Sequence, residues 1–198
     1  MRKNVSKMPV RRLFVAIDFP DSVRRAVTDY ISVLREQHGQ LRVGWQSPQK
    51  LHLTLKFLGN VEERVIGDTE NTVRSVADKY PVFRGTLEGT GVFPDVRRPR
   101  ILWLGVGHGK EMISNMGSEI EDKFAAIGFT SEKRAFSPHL TIARIRESDG
   151  AVNLATSHLT AGFASTTFNV TALHLYESTL SPAGSVYSPI SSFRLAGG

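Results

Sequence analysis

The stretch Leu51-His52-Leu53-Thr54-Leu55-Lys56-Phe57-Leu58 is written a second time, 87 positions on, as Pro138-His139-Leu140-Thr141-Ile142. In an extended chain successive side chains point to opposite faces. Each copy therefore sets a histidine and a threonine side by side on one face. Simple alternation sends Leu51, Leu53, Leu55 and Phe57, and Leu140 and Ile142 in the second copy, to a core face. It also puts Lys56 on the face of His52, as extra positive charge at a cleft mouth or as a solvated edge lysine. Two such strands facing one another would offer two imidazoles and two hydroxyls.

The bare triplet His-x-Thr is a weak signal, and chance supplies it once more as His158-Leu159-Thr160. Its flanks, Ala155 to Ser157 and Ala161-Gly162, lack the alternating apolar run of a half-buried strand, so it reads as part of a loop or short helix. Strand context, not the triplet, singles out the other two copies.

Working outward, Leu13–Phe19 reads as a strand, and Pro20-Asp21-Ser22 opens a helix with Val23, Ala26, Val27, Tyr30, Ile31 and Leu34 at helical spacing up to Gly39. The first motif strand ends at Gly59-Asn60. A second helix gathers Val61, Val65, Ile66, Val73, Val76, Ala77 and Tyr80 before Pro81. Strands follow near 82–87, 90–93 and 101–106, with Trp103 a packing residue. A third helix carries Met112, Ile113, Met116, Ile120, Phe124 and Ile127 and closes at Gly128. The second motif strand starts after Pro138, and further strands lie near 168–176 and 186–195. Each motif strand thus follows a strand and a helix. The order predicts a duplicated α+β architecture, two lobes meeting along their sheets.

The chain has 198 residues, no cysteine and 40% hydrophobic residues, with no apolar run of membrane-spanning length. Disulfides, thiolate nucleophiles and cysteine-ligated zinc are excluded, and a cytoplasmic location is expected. The net charge of +6 owes much to Arg2, Lys3, Lys7, Arg11 and Arg12, so residues 1–11 read as a basic tail before a single bilobal domain over 12–198. Arg11-Arg12 is followed by too short an apolar stretch for an export signal. Arginines also cluster at Arg97, Arg98 and Arg100 and at Arg144 and Arg146. Their planar forks suit phosphate oxygens, and a solvated basic surface is the competing reading.

Five blocks in order resemble the two-histidine phosphoesterase superfamily, and within it the RNA 2′,3′-cyclic phosphodiesterases, also called 2′-5′ RNA ligases. They are Arg12 to Asp18, Trp45 to Asn60, Arg98 to Gly105, Phe136 to Arg144, and Ser181 to Tyr187. The resemblance implies two pseudo-symmetric lobes with mainly antiparallel sheets around a central cleft, helices outside. It implies a monomeric enzyme that opens 2′,3′-cyclic phosphate ends of RNA, tRNA fragments included, to 2′-phosphates without metal or nucleotide cofactor. Some members also join RNA ends through a 2′-5′ linkage. Carried onto this chain, the catalytic set is His52, Thr54, His139 and Thr141, with His139 as general base and His52 as general acid. Arg144 matches a position that holds the nucleotide, although simple alternation puts it opposite His139, so that role requires a bend in the strand. Phe14 is a candidate stacking surface, or else core. Relatives often carry a second aromatic where this chain has Val15.

The chemistry fits these residue types. Opening a cyclic phosphate needs a base for water and an acid for the departing ribose oxygen, and imidazole supplies both forms near neutrality. Threonine hydroxyls can hold the non-bridging oxygens for in-line attack. A metallohydrolase with His52 and His139 as ligands would want nearby acids, and neither motif has one within three positions. A non-catalytic RNA-binding module would not need two titratable groups. A phosphodiesterase for another 2′,3′-cyclic or 2′-5′-linked nucleotide remains the main alternative.

Overall fold

The computed structural model describes residues 9–146, 149–182 and 184–197. The expected tail residues Arg2, Lys3 and Lys7, and Ala183 of the closing block, lie outside these. The element order is β1 (Val10–Asp18), α1 (Asp21–Gln37), β2 (Val43–Trp45), β3 (His52–Glu62), α2 (Ile66–Ala77), β4 (Phe83–Phe93), β5 (Ile101–Val106), α3 (Lys110–Ala126), β6 (His139–Ile145), α4 (Ala151–Ala161), β7 (Thr166–Val170), β8 (Ala172–Ser181) and β9 (Gly184–Arg194). One sheet runs β3-β1-β8-β9 and the other β2-β6-β5-β4-β7, and the strand pairings within them are antiparallel. Each motif strand thus belongs to its own sheet. Helices α2 and α3 back the first sheet, and α1 and α4 back the second. The two-lobed α+β architecture with helices outside is as expected.

Local chemistry explains the elements that frame the cleft. The Pro20 carbonyl accepts the Val23 and Arg24 N–H groups, each at 3.0 Å, and starts α1. The stripe Val23, Val27, Ile31 and Leu34 then buries one side of that helix. β1 is buried from Leu13 to Ile17 because it lies between β3 and β8 with both faces covered. On α3, a Cβ at Gly117 would overlap the ring of Phe136. Glycine there lets the segment after the helix lie directly on it, which sets the approach to β6.

Several boundaries move. Val61 lies in β3 instead of starting α2, and a 3-10 turn at Glu63–Val65 intervenes. The two strands expected at 82–93 are one strand with a bulge between Leu87 and Thr90. Thr171 divides the strand expected at 168–176, so β7 and β8 join different sheets. The chance triplet at His158 lies in α4, with the histidine fully buried. Its Nε2 donates to the Trp103 carbonyl (3.1 Å) and its Nδ1 accepts the Tyr30 hydroxyl (2.9 Å).

Candidate active site

The two motif strands share a distortion that alternation does not foresee. On β3, Thr54 pairs with Ala16 and Lys56 with Val15, so Leu55 is an extra residue, a β-bulge. On β6, Thr141 pairs with Trp103 and Ala143 with Leu102, so Ile142 is the extra residue. In both strands the bulge follows the motif threonine and reverses the faces beyond it. The fifth residue after each histidine is thereby returned to the histidine's side.

On β6 this turns Arg144 back to the His139 and Thr141 face, where it is exposed. The bend its expected role required is present. On β3 the same reversal overturns the expectation for Lys56. Its side chain is 4% exposed, with Nζ 2.7 Å from Glu121 Oε2 and 3.1 Å from the Thr130 carbonyl. Glu121 also accepts the Glu132 N–H at 2.8 Å. Lys56 therefore binds α3 and the chain beyond it, and is turned away from the cleft. Phe57, expected in the core, takes the cleft position instead and is 60% exposed.

His52 and Thr54 stand opposite Asp18 and Ala16 of β1. Around the His52 ring lie Phe14 (4.8 Å between centroids), Tyr187 (5.2 Å, edge-on) and Tyr176 (6.1 Å, stacked). Phe14 is itself stacked on Tyr176 at 5.3 Å and is 1% exposed. That corrects its expected role: covered by these rings, Phe14 is a wall that holds His52, and the ring open to a ligand is Phe57, 5.8 Å away. Behind the wall the Tyr176 hydroxyl donates to Asp18 Oδ2 at 2.6 Å, and Arg24 approaches Asp18 Oδ1 at 3.5 Å. Arg24 is held in turn by the Phe19 and Pro48 carbonyls, at 2.8 and 2.6 Å. Burial pushes the His52 pKa down to about 4; the Asp18 charge opposes this and Arg24 adds to it. Burial lowers His174 as well, two positions along β8 from Tyr176.

The second half of the site is more open. His139 Nδ1 lies 2.8 Å from the Ser137 carbonyl, which can only accept, so Nδ1 carries the proton and Nε2 is left for a ligand. Phe93 (5.1 Å) and Trp103 (6.1 Å) meet the His139 ring edge-on. A Cβ at Gly91 would overlap the indole of Trp103, so glycine is what lets that ring lie flat against the sheet. The halves are linked through the chain itself. β2 pairs Trp45 with Ala143, the next residue Gln46 donates its N–H to the Ile142 carbonyl at 2.9 Å, and the chain then turns into β3. The strands β3 and β6 pack against one another. Two imidazoles, two threonine hydroxyls, one exposed arginine and one exposed phenylalanine thus lie at matching positions on two strands that pack together.

A model of the 2′-5′ RNA ligase superfamily matches residues 19–181. The chain belongs to that superfamily. Among relatives of this superfamily member, the RNA 2′,3′-cyclic phosphodiesterase of Aquifex aeolicus is 32% identical over 96% of this chain and 100% of its own length. That of Methanothermobacter thermautotrophicus is 33% identical over 93% and 98%. In fold it is similar to a Thermus thermophilus protein (TM-score 0.74, 26% identity, 94% and 98% covered). Escherichia coli LigT, solved with 3′-AMP, has the same fold (TM-score 0.73, 24% identity, 94% and 99% covered). Within the superfamily frame, reading residues one by one missed Phe57, Tyr176, Tyr187 and Asp18. A signal existed for the first: Phe57 and Arg144 both stand five residues after a motif histidine.

Proposed function

We propose that this protein opens RNA 2′,3′-cyclic phosphate ends to 2′-phosphates by acid–base catalysis between His139 and His52. The observation that carries the reading is the matched pair of bulges, which gives each lobe a histidine, a threonine and a ligand-facing fifth residue. The names of its full-length relatives support the same substrate.

In this reading Nε2 of His139 takes a proton from water, whose oxygen attacks phosphorus in line with the P–O3′ bond. That bond breaks as His52 gives its proton to O3′, and the phosphate stays on O2′. The Thr54 and Thr141 hydroxyls donate to the non-bridging oxygens, where charge builds in the transition state. Arg144 pairs with phosphate or stacks on the base, and the exposed ring of Phe57 gives the nucleoside an apolar surface. His52 must be protonated for its part, and burial resists that in the free cleft. The cyclic phosphate is a negative charge placed beside the ring, so substrate binding favours the imidazolium and draws in a proton. The low His52 value also suits the opposite division of labour, with His52 as base and His139 as acid.

The test is to incubate EDTA-treated protein with an oligoribonucleotide ending in a 2′,3′-cyclic phosphate and identify the product. A 2′-phosphate is expected. A 3′-phosphate would overturn the assignment of the leaving oxygen, and turnover only after adding zinc or manganese would overturn metal-free catalysis.

A further inference from the structure

Five arginines meet at the Arg144 end of β6, brought there by separate segments. Arg144 lies on the strand and Arg146 is the first residue past its end, with Arg146 Nε lying over Gly44 of β2. Arg100 is joined to them through the backbone, its carbonyl accepting the Ile145 N–H at 2.9 Å. Arg97 and Arg98 lie in the β4–β5 turn, whose shape is fixed by Asp95 Oδ1 accepting both their N–H groups, at 2.8 and 3.1 Å. That turn follows Phe93, which touches His139, so the cluster begins at the cleft edge.

All five are exposed, and none forms an ion pair among the described residues. In the lobe of β1 and β3 several basic groups are neutralised, while Arg12 on β1 and Arg194 on β9 are exposed without an ion pair among the described residues. Arg11 is paired with Glu177 at 2.6 Å, Arg64 with Glu62 at 2.6 Å, and Lys56 with Glu121. Unpaired guanidiniums side by side repel one another, and a row of phosphates is the partner that relieves this with bidentate contacts. Neighbouring strands are about 4.8 Å apart, so a row running from the end of β6 past the start of β5 into the β4–β5 turn reaches beyond a single phosphate.

We propose that this arginine rim carries the RNA strand leading away from the reacting end, gripping its sugar–phosphate backbone over the β2–β6–β5 lobe and not over the β1–β3 lobe. The proposal rests on the cyclic phosphodiesterase reading and adds the path of the RNA body. Such contacts read no sequence, so they serve RNA ends of any sequence.

The test compares wild type with R97A/R98A/R100A on two substrates: a nucleoside 2′,3′-cyclic monophosphate, and an RNA of about 20 nucleotides ending in a cyclic phosphate. The variant R25A/R35A/R84A removes three exposed arginines elsewhere and controls for net charge. Binding of the same RNA ending in a 2′-phosphate is measured by anisotropy across salt concentrations. In R97A/R98A/R100A, kcat/KM and affinity for the long RNA should fall at least about ten-fold at low salt, with the salt slope shallower by about 2. Turnover of the monophosphate should change less than about two-fold, and the control variant should keep its RNA affinity. An equal loss on both substrates, an unchanged slope, or an equal loss in the control would overturn the rim. A protein inert to both cyclic phosphates that still shows arginine-dependent, salt-sensitive RNA binding would keep the rim and overturn the catalytic reading.

Discussion

Replacing Lys56 with methionine tests the reversal of faces along β3. The lysine side chain is 4% exposed and gives Nζ to Glu121 Oε2 at 2.7 Å and to the Thr130 carbonyl at 3.1 Å. Removing one partner of a deeply buried pair costs about 3–5 kcal/mol, because the other charge is left without compensation. Here Glu121 is 24% exposed and keeps the Glu132 N–H at 2.8 Å. Water and that bond recover part of the loss, so the cost falls below that range, to about 2–3 kcal/mol. In a chain of this length that is a Tm lower by roughly 5–10 °C. The double change K56M/E121L removes both charges and should regain most of it, since apolar replacement of a buried pair is near neutral. Calorimetry on the two single variants and the double variant closes the cycle. KM should stay within about two-fold of wild type in K56M, as expected of a group that makes no transition-state or ground-state contact with substrate. A K56M protein with unchanged Tm and a raised KM would refute the reasoning and return Lys56 to the cleft.

His52→Ala and His139→Ala should each lower kcat by at least about 100-fold with an unchanged circular dichroism spectrum, as loss of a general acid or base does; near-wild-type turnover in either would sink the two-imidazole mechanism. Asp18→Asn removes the charge that favours His52 protonation, so the acidic limb of kcat/KM should move to lower pH. If His52 is the acid, the plateau should fall with it, and if His52 is the base it should hold. Phe57→Ala should raise KM for nucleotide substrates by about ten-fold with little change in kcat, the loss of one stacking surface; steady-state kinetics decide it. His52, at about 4, and His158 and His174, also lowered, are held unprotonated by burial, whereas the unfolded chain takes up protons below about 6.5. Their contribution to stability is therefore complete above about pH 6.5 and lost as pH falls toward 4, which denaturant titrations at several pH values should show.

Much of the site was legible in the sequence because strand periodicity is local. Alternating apolar residues around His52 and His139 mark two half-buried strands, and within each the histidine and threonine must share a face. The same rule fails one residue later. Alternation sends Phe57 inward and Lys56 outward, and the opposite is found because Leu55 and Ile142 are extra residues in their ladders. Burying a lysine is tolerable only where a carboxylate waits, and Glu121 comes from a helix 65 positions away. Phe14 was ambiguous for a related reason. One strand cannot tell whether a ring is open to a ligand or covered by Tyr176 and Tyr187, which arrive from the other end of the chain.

By itself, then, the sequence determined the two motif strands, their histidine–threonine pairs, the α+β class and the superfamily, all of which rest on short-range pattern and on motif order. Only the tertiary structure decided which residues beyond each threonine reach the cleft, what surrounds His52, and where the unpaired arginines gather. Those properties depend on pairing register and on groups distant in sequence, and a one-residue bulge, invisible in composition, exchanges the two faces of a strand.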